Sequence, residues 1–251
     1  MIDIDTAVKL KTMRLSGMAE CLEQISEPGG ATTLSTVEVV RLMVDREWER
    51  RRNTKLARLR RKAGLPQPSA DLSDIRAMPG RDIDTDLIAR LAVGNYLLKH
   101  QNVILQGPTG AGKTFIACAL ANKACQQYKT VLYLRAEDLF DQITLADRAG
   151  TRGQLLENLV KVDLLIIDDW FLTGPNREQV QHLHALFDRR YQTGSTIFCT
   201  QLPPAKWHDR MEEKIVADAI IDRITTHTHT ATLNCTESMR RHFDHDGDHQ
   251  P

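Results

Sequence analysis

The sequence predicts an α/β protein, in which an αβα domain built on a parallel sheet follows a small all-α domain. After about residue 100, short apolar runs alternate with helical stretches, the order expected of parallel strands joined by crossover helices. Two of these runs, residues 103–105 and 164–167, are apolar throughout, which is typical of strands covered on both faces. The stretch before residue 75 shows helical patterns only.

The N-terminal domain is predicted to contain two helices. The first covers residues 2–26, where apolar residues recur every three or four positions. The second covers residues 36–63, because Ser35 and Glu38 form a capping-box pattern and Gly64 and Pro66 follow its end. Residues 65–84 are rich in Pro, Ser, Asp and Gly and predict a linker. We therefore expect domains over 1–75 and 76–241, and a polar flexible tail over 242–251.

The second domain is predicted to begin with a helix over residues 87–99. Strands are predicted over residues 102–106, 130–134, 163–168 and 195–200. Helices are predicted between them over residues 114–127, 136–149 and 176–192. This order places the carboxyl ends of the strands along one edge of the sheet.

Composition excludes several classes of protein. The 251 residues are 41% hydrophobic and 26% charged, which is ordinary for a folded domain and excludes a collagen-like or wholly disordered chain. No apolar run approaches the roughly 18–20 residues of a membrane helix, and the acidic start lacks a secretory pattern, so we expect a cytoplasmic location and no membrane partner. The five scattered cysteines form no C-x-x-C pair, which predicts reduced thiols and no zinc site.

A phosphate-binding motif lies between the first predicted strand and the next helix. It reads Gly107-Pro108-Thr109-Gly110-Ala111-Gly112-Lys113-Thr114 and matches G-x-x-x-x-G-K-[ST] in full. Glycines allow the backbone to turn its N–H groups toward phosphate oxygens, and the helix N-terminus adds positive charge. Lys113 would bind the β- and γ-phosphates, and the Thr114 hydroxyl would bind Mg²⁺. The motif therefore predicts ATP and Mg²⁺ as cofactors.

Acidic and polar residues follow two later strands. Asp168 ends the apolar run 164–167, where a carboxylate can reach the water shell of a bound metal. Asp169 is then the candidate that polarises the attacking water, with a solvated acidic turn as the alternative. At the end of the strand 195–200, Gln201 is the first candidate to hold that water and Thr200 the second.

The zero net charge hides a local basic cluster. Between residues 46 and 62, nine cations stand against two acids on the long predicted helix. Several cations are spaced three or four apart and share one face, which favours non-specific binding to the phosphates of duplex DNA. The candidate DNA-binding residues are Arg51, Arg52, Lys55, Arg58, Arg61 and Lys62. A solvated helix face, or a docking surface for an acidic partner, is the alternative.

With these motifs in order, the chain resembles the DnaC/IstB branch of the AAA+ ATPases, and within it the IstB-like helpers of insertion-sequence transposition. The similar segments are residues 107–114, 164–170, 195–201, 217–223 and 237–241. The resemblance implies that Arg223 is an arginine finger for the γ-phosphate of a neighbouring subunit and that Arg240 is a sensor arginine. One departure is Phe171, which stands where the family more often has a small residue such as glycine.

The resemblance also implies a function. A protein of this kind hydrolyses ATP, assembles as a homo-oligomer on duplex DNA and recruits or activates a transposase. Two alternatives remain open at this point: a DnaC-like helicase loader, and a nucleotide-gated adaptor with little hydrolysis, which Asp169 in place of a longer Glu would permit. The histidines from His227 to His249 have no metal-ligand spacing and are interpreted as a solvated tail.

Overall fold

The computed structural model describes residues 4–27, 34–75 and 81–235, and the chain forms two compact units, residues 1–58 and 59–251. The described helices are α1 (Ile4–Thr12), α2 (Ser16–Ser26), α3 (Thr36–Ala63), α4 (Thr85–Ala92), α5 (Asn95–Leu98), α6 (Lys113–Gln126), α7 (Ala136–Arg148), α8 (Arg152–Lys161), α9 (Arg177–Arg190) and α10 (Lys214–Thr225). The described strands are β1 (Arg81–Asp82), β2 (Asn102–Gln106), β3 (Val131–Arg135), β4 (Leu164–Trp170), β5 (Ser195–Thr200), β6 (Thr228–Thr232) and β7 (Asn234–Cys235). Within these ranges, no helix is long and apolar enough to cross a membrane.

The centre of the second unit is a five-stranded parallel sheet in the order β3-β4-β5-β2-β6. Helices α7 to α10 pack with Leu165, Ile167 and Phe198 in one apolar cluster. Helix α6 supplies none of that cluster and packs against β2, β3, β4 and β5. Because side chains alternate along a strand, the two groups of helices cover opposite faces. The predicted αβα fold, with helices α1 to α3 before it, is confirmed.

Two predicted helices are interrupted. The helix expected over residues 2–26 is divided between α1 and α2 at Arg14, whose φ of 61° cannot continue a right-handed helix. The helix expected over residues 87–99 is divided at Gly94, where φ is 86°. In both cases the apolar residues keep their helical spacing through a residue with positive φ, so their periodicity alone did not reveal that the helix is broken there.

Helices α8 and α10 and the strands β1, β6 and β7 were not predicted from the sequence. Strand β6 is polar and lies at the edge of the sheet, where it pairs only with β2 and needs no apolar run. The interpretation of all the histidines from His227 to His249 as a solvated tail is therefore wrong for His227 and His229. His229 lies in β6, with Nε2 3.0 Å from Gln101 Oε1, and His227 precedes the strand with φ of 61°. His242, His245 and His249 lie outside the described residues.

The two compact units divide inside α3, whereas the expected boundary at 75/76 borders residues that the structure does not describe. The end of α3 packs within the second unit, where Ala63 is fully buried. The segment that follows α3 is hydrogen-bonded to α6, because Asn122 Nδ2 donates to Pro68 O at 3.1 Å and to Ala70 O at 2.8 Å. Proline and polar composition therefore marked an irregular segment, but this segment is packed against α6.

A buried carboxylate holds the helices of the first unit together. Glu47 on α3 is 5% exposed, and its Oε2 accepts a hydrogen bond from Gly17 N at 2.7 Å. A side chain on residue 17 would approach Glu47 and the Arg46 carbonyl too closely, so glycine is required at this crossing. Burial opposes ionisation of Glu47, but hydrogen bonds from Arg50, Arg51 and Gly17 outweigh it and lower the Glu47 pKa to about 2.

An aromatic cluster supports the end of β4. Trp170 contacts Phe171, Phe198 and Trp207, with ring centroids 4.3, 5.2 and 6.1 Å away. Phe171 is fully buried although its φ is 58°, a left-handed conformation that favours glycine. Packing of the ring therefore maintains a backbone conformation that costs on the order of 1 kcal/mol.

Replacement of Glu47 by Gln should remove an acid-sensitive part of the stability of the first unit. Because the folded-state pKa lies below the unfolded one, this contribution is complete above about pH 4.5 and is lost as the pH falls toward 2. At pH 7 we expect Glu47→Gln to lower the free energy of unfolding by about 1–2 kcal/mol, measured by denaturant unfolding followed by circular dichroism. The free energy of unfolding of this variant should also fall less between pH 4.5 and pH 2 than that of the wild type. Glu49→Gln, on the exposed neighbour, is the control, and an equal effect of both would contradict the assignment.

Replacement of Phe171 should give an unusual order of stability. Phe171→Ala removes a buried ring and should lower the free energy of unfolding by about 3–4 kcal/mol. Phe171→Gly should cost about 1 kcal/mol less than Phe171→Ala, because glycine relieves the left-handed strain. At Phe187, a helical member of the same cluster, the order should reverse, since glycine is worse than alanine inside a helix. Urea unfolding of the four variants measures this, and the same order at both positions would refute strain at Phe171.

Candidate active site

The phosphate-binding loop connects β2 to α6 at the carboxyl edge of the sheet. Gly110 and Gly112 have φ of 84° and 85°, a conformation that residues with a side chain rarely adopt. Gly107 donates from N to Thr200 O at 3.1 Å, and a Cβ at this position would stand 2.3 Å from Leu233 O. The loop is therefore enclosed by backbone from β5 and from the segment after β6, and glycine is the residue that fits there.

Lys113 is the first residue of α6 and is largely buried. Its Nζ donates to the carbonyl oxygens of Gly107 and Pro108, both at 2.8 Å, so the ammonium group lies inside the loop. Burial lowers the Lys113 pKa, and the nearby negative charges of Asp168 and Asp169 oppose that shift. Phosphate oxygens would take the place of these carbonyls, since they accept the same hydrogen bonds and add opposite charge.

Asp168 connects the loop to the sheet. Its side chain is buried, and its Oδ2 accepts hydrogen bonds from Thr114 Oγ1 at 2.7 Å and from Tyr133 Oη at 2.8 Å. Its Oδ1 accepts from Asp169 N at 2.9 Å. Burial raises the Tyr133 pKa far above its usual value, and the Asp168 charge adds to this shift, so Tyr133 keeps its proton and donates a hydrogen bond to the carboxylate.

The residues present fit a magnesium ion that is shared with phosphates. The hydroxyl of Thr114 and the carboxylate of Asp168 are the hard oxygen groups that this ion prefers, and they lie side by side. In the described part of the chain, no group of three or more His, Cys, Asp and Glu side chains could hold a metal by itself. Such an arrangement suits Mg²⁺ that keeps most of its ligands from water and phosphate.

A cleft adjoins Lys113 at the ends of β4 and β5. Asp169 and Gln201 line this cleft together with Lys113, so the structure brings three sequence-predicted residues to one place. Asp169 has φ of 54°, and its Oδ2 accepts a hydrogen bond from Arg135 at 2.9 Å. Thr200 is buried, and its hydroxyl contacts the carbonyl of Trp170, so it ties β5 to β4.

Of the two predicted arginines, the structure describes Arg223 alone, and it lies away from this cleft. Arg223 lies near the end of α10 and lines a cavity with Asn102 and Thr196, which begin β2 and β5. It is therefore at the amino-terminal edge of the sheet, about 15 Å or one strand length from the phosphate-binding loop of its own chain. Its Nε donates to Asp188 Oδ1 at 2.7 Å. Arg240 lies outside the described residues.

The six candidate DNA-binding residues lie in the second half of α3 and are all exposed. Arg51 pairs with Glu47, its Nε 2.7 Å from Oε1, but is 57% exposed and still presents its charge to solvent. From residue 50 to residue 62 the helix carries eight cations and no acid. A rise of 1.5 Å per residue makes this basic segment roughly 18 Å long.

Sequence reasoning missed Tyr133, Arg135 and Asp188. Tyr133 and Arg135 are alternate residues of β3 and point to the same side of the sheet, and Arg135 pairs in register with Asp168. Tyr133 inside the predicted strand 130–134 and Arg135 directly after it are polar, which was a visible signal. Which strand they would neighbour depended on the sheet order, which the sequence did not reveal.

Comparisons with known proteins agree with this geometry. The chain matches the protein family described as IstB-like ATP binding protein over residues 8–246. The insertion-sequence ATP-binding protein y4pL of Sinorhizobium fredii is 38% identical over 242 residues, which cover 96% of this chain and 98% of that protein. The IS1162 ATP-binding protein of Pseudomonas fluorescens is 40% identical over 203 residues, which cover 81% of this chain and 88% of that protein.

Solved structures show the same fold. DnaI superposes with a TM-score of 0.58 at 21% identity, over 66% of this chain and 92% of that one. AMPPCP-bound DnaA from Aquifex aeolicus superposes with a TM-score of 0.57 at 21% identity, over 73% of this chain and 55% of that one. The resemblance stated from the sequence is confirmed: the chain belongs to the family of IstB-like ATP-binding proteins and is an AAA+ P-loop ATPase.

Proposed function

We propose that this ATPase is a DNA-binding helper of insertion-sequence transposition, which assembles on duplex DNA and recruits or activates a transposase. The observation that carries the proposal is the exposed basic segment of α3, in a chain whose relatives bear the names of insertion-sequence ATP-binding proteins. The ATP site supplies the switch, because ATP and ADP differ in the charge they bring to Lys113.

The basic segment suits a phosphate backbone better than a base-reading surface. Its cations are long, exposed and distributed over about 18 Å of helix, which spans several phosphates of one groove. Trp48 is the one aromatic residue on α3, so stacking on single-stranded bases has little support. Within the described ranges, Arg58, Arg61 and Lys62 form no ion pair with an acid, and their charge is open to DNA.

Hydrolysis follows from the positions of the residues at the cleft. Lys113 neutralises charge that develops on the terminal phosphate, and Mg²⁺, when bound beside Thr114 and Asp168, neutralises more. Asp169 accepts a proton from the attacking water, and Gln201, which lines the same cleft, orients that water. Because Arg135 pairs with Asp169, turnover requires this ion pair to loosen, which favours slow hydrolysis that a partner can stimulate.

The position of Arg223 favours action between subunits. Arg223 is too far from the phosphate-binding loop of its own chain to contact a nucleotide there, so it could complete only the site of a neighbouring subunit. An arginine there stabilises the transition state of phosphoryl transfer, so hydrolysis would depend on assembly. Arg240, as a sensor of the γ-phosphate, is proposed on the resemblance alone. A cytoplasmic location is part of the same proposal, since the substrate is chromosomal DNA.

Substitution of the basic segment should weaken DNA binding in a salt-dependent manner. We expect Arg58→Ala/Arg61→Ala to reduce duplex affinity and to lower the slope of log K against log salt by about 2, since each lost phosphate contact removes about 0.9. Fluorescence anisotropy with a 30-base-pair duplex between 50 and 200 mM salt measures this. The matched control, Lys161→Ala/Arg177→Ala, removes two cations that already pair with Glu157 and Glu213.

The same titration separates the alternatives. An unchanged slope in the α3 variant would assign the basic segment to an acidic protein partner instead of DNA. A clear preference for single-stranded over duplex DNA of equal length would favour the helicase-loader alternative. We expect the protein to bind ATP without DNA and duplex DNA to stimulate ATP turnover. No turnover under any condition would favour the nucleotide-gated adaptor.

Mixing of two inactive variants should restore hydrolysis if Arg223 acts between subunits. Lys113→Ala and Arg223→Ala should each abolish DNA-stimulated ATP turnover. Their one-to-one mixture should recover about a quarter of the wild-type rate, the share of random interfaces that join an intact Lys113 to an intact Arg223. Phosphate release measures the rate, and Arg189→Ala, an exposed arginine of α9, is the control. Full activity of Arg223→Ala alone, or a mixture as inactive as its parents, would exclude the role in trans.

A further inference from the structure

The hydrogen bonds of Asp168 are almost fully occupied by its own chain. Oδ2 has two lone pairs, and these accept the hydroxyls of Thr114 at 2.7 Å and of Tyr133 at 2.8 Å. Oδ1 accepts the backbone N–H of Asp169 at 2.9 Å. Asp168 therefore cannot bind a cation directly through Oδ2 unless it loses one of the two hydroxyls.

The two hydroxyls on Oδ2 have different roles. Thr114 belongs to the phosphate-binding loop and donates a hydrogen bond to the Asp168 carboxylate. The lone pairs of the Thr114 oxygen therefore point away from the carboxylate, toward the side where a nucleotide would bind. Tyr133 comes from the neighbouring strand β3 and is itself partly buried, so its hydroxyl is a fixed donor. Without the Tyr133 hydroxyl, Asp168 would accept a hydrogen bond from only one side-chain hydroxyl, that of Thr114, and its carboxylate could rotate about the side-chain bonds. The orientation of Thr114 would then be less well defined.

We propose that Tyr133 is a positioning residue for the magnesium-dependent step of nucleotide binding, and that it acts by holding Asp168 Oδ2 against the Thr114 hydroxyl. The carboxylate is kept as an acceptor that orients Thr114 and one water, in place of a ligand that binds the ion directly. The inference rests on the ATPase activity of the chain and not on its binding to DNA or to a transposase.

The test is a double-mutant cycle on the full-length protein without DNA. Tyr133→Phe keeps the ring and removes the hydroxyl, Asp168→Asn removes the charge, and the double variant combines them. Binding of ADP and of a non-hydrolysable ATP analogue is measured by isothermal titration calorimetry at a series of free Mg²⁺ concentrations and in EDTA. Tyr128→Phe, the same substitution at the far end of α6, is the matched control.

We expect Tyr133→Phe to raise the free Mg²⁺ needed for half-maximal nucleotide binding about tenfold, the lower end of the effects seen when a hydrogen-bond partner outside the metal's own ligands is removed. Binding in EDTA should equal that of the wild type, because Tyr133 acts through Asp168. The Tyr133→Phe change should have no further effect in the Asp168→Asn background. Tyr128→Phe should follow the wild type throughout.

Three results would overturn the proposal. An unchanged Mg²⁺ dependence in Tyr133→Phe would show that the hydroxyl serves packing alone. A lower Mg²⁺ requirement would show that Tyr133 competes with the ion for Asp168. An equal shift in the Asp168→Asn background would show that Tyr133 acts through another group. Since all three are read from nucleotide binding by the isolated protein, none of them bears on the role in transposition.

Discussion

The carboxylate of Asp168 joins the elements on which this ATPase depends. It accepts hydrogen bonds from Thr114 on α6, from Tyr133 on β3 and from the backbone of Asp169 on its own strand. A buried carboxylate is costly unless its oxygens are satisfied, so these donors must be present together for the charge to be tolerated. The same contacts that satisfy the charge also hold the hydroxyl of Thr114, which follows Lys113 in the phosphate-binding loop. Stability and preparation for the nucleotide therefore have one physical origin.

The segment after Asp168 is held in place by packing. Asp169 and Phe171 both have left-handed backbone conformations, on either side of the buried Trp170. The β4–β5 pairing is irregular over the same stretch, so the backbone turns away from the sheet there. The aromatic cluster around Trp170 and Trp207 outweighs that strain. As a result, packing of these aromatic side chains fixes the backbone that places Asp169 in the cleft beside Lys113.

The charges of the chain are segregated by function. Acids and lysine converge at the carboxyl edge of the sheet, Arg223 lies at the opposite edge, and the basic segment of α3 is a separate surface. A single subunit therefore contains a complete phosphate-binding loop but holds its predicted finger out of reach of it. Within α3, Glu47 takes up the charge of Arg50 and Arg51 and stabilises the first unit, while later cations stay exposed. One helix thus contributes both to the packing of the first unit and to an exposed basic surface.

The sequence by itself determined the fold class, the phosphate-binding loop and the acid after the long apolar strand. These features are local: glycine spacing, strand-length apolar runs and capping residues act within a few positions. The same locality explains the errors, because apolar spacing continued through the turns at Arg14 and Gly94, and the edge strand β6 needed no apolar run.

The tertiary structure alone decided which strands are neighbours. The order β3-β4-β5-β2-β6 brings Tyr133 and Arg135 to the two acids of β4, although they are more than thirty residues away in the chain. It also put Arg223 at the far edge and gave Phe171 a left-handed conformation. Such contacts depend on register and long-range packing, whose free energy is shared by the whole sheet, so no short stretch of sequence encodes them.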